Sequence, residues 1–137
     1  MFQAYSDGVA VAAGGTYPLN NVTYLKGCTA TPVAGGSVAL SKRGVYDVKV
    51  DGFATLADAG EYSIQLARNG IPLPQAISTT SVAAAGIGSG SFSTLVVVTE
   101  NDCCCNWASA PVVLSVINPS EADVTDAHIN ITVTKLI

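Results

Sequence analysis

The chain has 137 residues, with six basic and ten acidic side chains, a net charge of −4, 49% hydrophobic residues and only 12% charged ones. Its length fits one domain, residues 1–137, with a core of its own. The cations cluster nowhere beyond Lys42-Arg43, which argues against nucleic-acid binding through a basic patch, and no apolar run approaches the roughly 20 residues that span a bilayer.

In chain order, Phe2–Tyr5 reads as a strand directly after Met1, with no charged leader and apolar core of a secretory signal ahead of it. The expectation is a signal already removed, or delivery by assembly or host lysis rather than by secretion. Residues 22–25 and 37–40 are short apolar strands. In 44–51, Tyr46, Val48 and Val50 point one way and Asp47, Lys49 and Asp51 the other, the period of two that marks a half-buried strand. In 61–68, Tyr62, Ile64 and Leu66 face inward, and Glu61, Ser63 and Gln65 face outward. Asn69-Gly70 supplies a tight turn, since both residues tolerate positive φ. Pro72 and Pro74 hold the next segment extended, at an edge or in a loop.

Residues 76–82 read as strand and 83–90 as a Gly/Ala/Ser loop. Residues 92–99 are apolar on both sides, with Phe92, Thr94, Val96 and Val98 on one and Leu95 and Val97 on the other. Such a strand is covered on both faces, and a neighbouring subunit is the simplest second cover. Loops at 101–110 and 118–122 flank a strand at 112–117. In the last strand, 124–136, Ala127, Ile129, Ile131 and Val133 alternate with His128, Asn130, Thr132 and Thr134. The count is about ten strands without a helix of note, an all-β sandwich or barrel. So apolar a chain without a membrane span points to a permanent oligomer.

Five segments together carry a family likeness. Gly44-Val-Tyr-Asp-Val-Lys-Val, Ile64-Gln-Leu-Ala-Arg-Asn-Gly70, Phe92-Ser-Thr-Leu-Val-Val-Val, Leu114-Ser-Val-Ile-Asn-Pro and Ile129-Asn-Ile-Thr-Val-Thr-Lys-Leu resemble the tumour-necrosis-factor-like jelly roll. This roll also forms the globular head of complement and collagen-like proteins. The likeness covers essentially the whole chain and is nearest to compact bacterial and phage forms without a collagen stalk. It implies a ten-stranded jelly-roll β-sandwich in a tight homotrimer, the outer face of one sheet packing on the three-fold axis. Leu95, Val97, His128, Asn130, Thr132 and Thr134 would then face a neighbour. The polar outer face of the last strand departs from a dry, aromatic axis.

Other candidate sites are sparse. Cys28 and the run Cys103, Cys104, Cys105 lack the Cys-x₂₋₄-Cys spacing of zinc sites and the Cys-x-x-Cys of redox enzymes. A disulfide from Cys28 to one of the run, interchain disulfides around a three-fold axis, and free thiols all stay open. His128, the one histidine, has Asp126 two residues away, but no Gly-x-Ser-x-Gly elbow accompanies it, so the reading is non-enzymatic. Glu100-Asn-Asp102 and Glu121-Ala-Asp123 offer oxygens for Ca²⁺ without a full liganding pattern and read as solvated turns. Asn21-Val-Thr23 and Asn130-Ile-Thr132 match the glycosylation pattern, the second inside a strand. Trp107, in a loop, is either a protein- or sugar-binding contact or a cap on the sandwich.

The functional expectation is a structural protein without cofactor: a homotrimer decorating a virion as capsid decoration or head fibre, with other virion proteins as partners. The alternatives are a fibre head that binds a host-surface glycan or protein, and a secreted or spore-surface adhesion or signalling protein of the same fold.

Overall fold

A computed structural model describes residues 1–26, 30–33, 35–56, 58–98 and 112–137. Among them are twelve strands: β1 (Phe2–Tyr5), β2 (Val9–Val11), β3 (Thr16–Tyr17), β4 (Asn21–Leu25), β5 (Ala30–Val33), β6 (Ser37–Leu40), β7 (Gly44–Thr55), β8 (Gly60–Arg68), β9 (Ile71–Val82), β10 (Ile87–Val98), β11 (Val112–Ile117) and β12 (Val124–Lys135). One sheet runs β10-β7-β12-β1-β4, with β2 added on β12. The other runs β5-β6-β11-β8-β9, with β3 added on β11. Every pairing is antiparallel.

The inward residues follow the alternation in the sequence. Tyr46, Val48 and Val50 of β7, Ile129, Ile131 and Val133 of β12, and Phe2 and Ala4 of β1 are buried; so are Ile64 and Leu66 of β8 and Leu114 and Val116 of β11. Together they form one core between the sheets, where apolar burial contributes most of the stability. Asn69 and Gly70, at φ 51° and 81°, make the tight turn from β8 to β9. Asn69 Oδ1 accepts the Val113 N–H at 2.8 Å, tying the turn to β11.

Three expectations change, and the one for the prolines holds. The strands number twelve rather than about ten, because β2, β3 and β5 are too short to show a period. Residues 87–90 belong to β10 rather than to a loop, and only 83–86 turn. The glycines there permit close sheet packing: a Cβ on Gly88 would come within 2.9 Å of Tyr62 Cβ and 2.6 Å of Val82 Cγ2. Pro72 and Pro74 lie within β9, the edge strand, where a missing N–H does least harm. Ser63 and Gln65 point outward but are buried, because the neighbouring β9 covers them. Ser63 Oγ lies 2.8 Å from Thr79 Oγ1, and Gln65 Nε2 donates to the Leu73 carbonyl at 2.9 Å.

Two buried tyrosines of the core differ in one respect. The Tyr17 hydroxyl donates to the Ser63 carbonyl at 3.1 Å, whereas the Tyr62 hydroxyl has no partner among the described residues. Burial pushes both phenols well above their ordinary pKa. Tyr62→Phe removes an unsatisfied polar atom and is expected to leave stability unchanged or raised. Tyr17→Phe loses a made bond and is expected to cost about 0.5–1.5 kcal/mol. Urea unfolding of the two variants measures the difference.

Candidate functional site

The outer face of the β10-β7-β12-β1-β4 sheet carries all six residues expected to meet a neighbour. Register sets them in rows across the sheet. Leu95, Asp47 and Thr134 stand side by side; Ser93, Lys49, Thr132 and Gln3 form the next row; Ser91, Asp51, Asn130 and Tyr5 the third; Ser89, Phe53 and His128 the fourth. Period two makes this grouping unavoidable once the inward residues are buried, because a one-residue slip would turn the core outward.

The face divides by chemistry. On the edge strand β10, Leu95 is 57% exposed and Val97 50% exposed, while Val96 and Val98 on the other side are buried. Among the described residues the doubly apolar strand is therefore covered on one face only. At the opposite edge every residue of β4 is exposed; Tyr24 stands beside Gln3 on this face, whereas Val22 pairs with the inward Ala4, and Met1 is exposed nearby. Leu25 pairs with Phe2 in register.

Between these edges the face is polar and self-bonded. Gln3 Nε2 donates to Asn130 Oδ1 at 3.4 Å, and Asn130 Nδ2 donates to Asp51 Oδ1 at 3.2 Å. Lys49 Nζ lies 3.7 Å from Asp47 Oδ2. Thr132 and Thr134 are half-buried on the same face of β12. Exposed ion pairs of this kind stabilise little, but they hold the side chains of the ladder in place.

His128 ends the face. Its ring stacks on Phe53 with centroids 4.7 Å apart at 21°. Nδ1 lies 3.1 Å from Asp7 Oδ1 and Nε2 3.2 Å from Asp126 Oδ1. Both ring nitrogens thus face carboxylate oxygens, and among the described residues neither is turned towards a serine or threonine hydroxyl. This arrangement suits a clamp rather than a general base acting on a nucleophile. The clamp ties the 6–8 turn to the irregularity in β12 between Val124 and Ala127, where Asp126 has φ 50°. A shallow cavity of about 290 Å³ lies here, lined by Tyr5, Asp7, Asp51, Phe53, His128 and Asn130.

The remaining candidates scatter. Asp123 Oδ1 accepts the Ala13 N–H at 2.8 Å and so caps a turn. With Asp58, Glu61 and Glu121 it lines an acidic cleft of about 780 Å³ at one end of the sandwich. Among the described residues no group of three or more His, Cys, Asp or Glu could hold a metal ion. Asn21 is exposed in β4, and Asn130 belongs to the polar ladder. Cys28, Cys103, Cys104, Cys105, Trp107, Glu100 and Asp102 lie outside the described residues. Sequence reasoning missed Phe53, Tyr24 and Asp7 as members of this face. Asp7-Gly8 was a turn signal, but nothing local tied it to His128, 121 positions away in the chain.

No family model and no curated protein sequence matches this chain. Solved structures do. The PRD1 vertex protein P5 superposes with a TM-score of 0.68 at 15% identity, covering 99% of this chain and 96% of that one. The globular domain of zebrafish complement 1qA gives 0.71 at 7% identity, covering 99% and 96%. Eiger, a tumour necrosis factor from S. frugiperda, gives 0.70 at 16%, covering 99% and 93%. The fold is thus that of the tumour-necrosis-factor-like and complement-head-like jelly rolls, and such identities show the fold alone. No helix among the described residues is long and apolar enough to cross a membrane.

The clamp yields a test at Asp126. Left-handed backbone is tolerated by Asp and Asn far better than by β-branched residues. Asp126→Asn is expected to keep wild-type stability in urea, and Asp126→Val to lose about 1–2 kcal/mol. Equal stability of the two variants would show that the bulge does not constrain residue 126.

Proposed function

We propose that this protein is a non-enzymatic structural component, a jelly-roll homotrimer that decorates a virion as capsid decoration or head fibre. The observation that carries the reading is the outer sheet face, with large exposed apolar side chains at its two edges and a self-bonded polar ladder between them. A closed ring needs a heterologous contact, in which two different patches of each subunit meet. The β10 edge, with Leu95 and Val97, and the β4 side, with Tyr24, are such a pair. In the trimer each β10 edge packs on the face of the next subunit, and His128, Asn130, Thr132 and Thr134 line the contact. Similarity to a vertex protein supports placement on a particle. The complement and tumour-necrosis-factor heads support a binding head as the alternative, but its candidate contact, Trp107, lies outside the described residues.

Function then rests on geometry. A trimer presents three copies of every exposed loop, so weak single contacts to a partner add through multivalency, and no residue need do chemistry.

Light scattering tests the assembly. Three chains of 13.9 kDa give about 42 kDa, the closed state expected. The pair Leu95→Asp/Val97→Asp is expected to fall to the mass of one chain while keeping its circular dichroism, since both positions face outward. Wild type running as a monomer, or the double variant staying trimeric, refutes the interface. Electron microscopy of particles with and without the protein tests the location: added density on the particle surface supports it, and no difference rejects it.

A further inference from the structure

The charges of the domain are sorted along its strands. At one end β4, β8, β10 and β12 finish and β7 and β11 begin. This end carries Lys26, Lys42, Arg43, Arg68 and Lys135, five of the six basic residues. The opposite end carries Asp7, Asp58, Glu61, Glu121, Asp123 and Asp126, all exposed, and no basic residue. Asp47, Lys49 and Asp51 lie between, on the outer face. Among the described residues the balance is +5 at the first end, −6 at the far end and −1 between; Glu100 and Asp102 lie outside the described residues.

The two ends cannot neutralise one another. A twelve-residue strand such as β7 or β10 separates them by roughly 35 Å, several times the ~8 Å screening length of physiological salt. Among the described residues each end therefore carries ionisable side chains of one sign, and each matches the opposite end of another copy.

We infer that copies of this protein associate end to end, the basic end of one seating on the acidic end of the next. The contact runs along the strands, leaves both sheet faces free and does not close on itself, so repetition gives a column rather than a ring. Single exposed charge pairs are weak. In the trimer proposed above, with its axis along the strands, each end is tripled, and the inference rests on that reading for its strength. The polarity itself belongs to the single chain.

The test is light scattering at 20 and 500 mM NaCl over a range of concentrations. Two variants accompany it: Lys42→Glu/Lys135→Glu, with a blocked basic end, and Glu61→Lys/Glu121→Lys, with a blocked acidic end. Wild type is expected to grow in mass with concentration at low salt and to return to one assembly unit at high salt. Each variant alone should stay at one unit, and an equimolar mixture should stop at two, because one good contact remains. Wild-type mass independent of salt, variants that grow like wild type, or a mixture that stays at one unit overturns the inference. The unit mass at 500 mM NaCl reports separately on the trimer: a single-chain mass there rejects the ring, while low-salt growth still decides the column.

Discussion

The structure depends on the β12 strand and its period of two. β12 lies inside its sheet, paired with β7 on one side and with β1 and β2 on the other. It therefore binds the first strand of the chain to the last, and its register decides which side chains enter the core. Ile129, Ile131 and Val133 are buried against the second sheet only in this register; a one-residue slip would bury His128, Asn130, Thr132 and Thr134 in their place. Gly52 of β7 lets the pair approach closely near the bulge, since a Cβ there would meet the His128 carbonyl at 2.4 Å. The same alternation that builds the core builds the outer face, so the two cannot be altered independently.

That outer face is unusual in being polar where it is most central. Gln3, Asn130 and Asp51 satisfy one another within the chain, so the ladder need not find partners in a neighbour to avoid an unpaired cost. Large exposed apolar side chains on this face lie at the β10 and β4 edges and at Phe53, which stacks on His128 at one end. A contact on such a face draws its favourable energy from its margins and its register from the middle. The expected departure from a dry, aromatic axis thus has a structural counterpart in a self-contained hydrogen-bonded ladder.

Long strands with strict alternation were legible in the sequence, and β11 and β1 keep their expected bounds. Their periodicity reports burial directly, and burial is what fixes a strand in a sandwich. The shortest strands, such as Val9–Val11 and Thr16–Tyr17, were not legible, because two or three residues hold no period, whereas Phe2–Tyr5 and Ser37–Leu40 keep the bounds read from the sequence. Residues 87–90 read as loop because Gly-Ser repeats carry low strand propensity. Their strand state comes from the ladder with β7, where Ile87 to Gly90 pair with Thr55 to Gly52, which no local rule sees. The six interface candidates share one face, as alternation required. Phe53 and Asp7 escaped notice because stacking and ion pairing with His128 arise from register and turn geometry at long sequence separation.

Charge and shape pull the proposed assembly in opposite directions, and salt separates them. Three subunits placed side by side bring three −6 ends together, a like-charge arrangement that the apolar edges at Leu95 and Tyr24 must outweigh. Screening weakens that repulsion, so salt favours the lateral ring. End-to-end contact gains from attraction between opposite signs, so the same screening opposes the column. A protein of low charge content can tolerate this opposition because most of its charges sit at the ends. The broad face between them is nearly neutral, and there packing rather than Coulomb energy governs association.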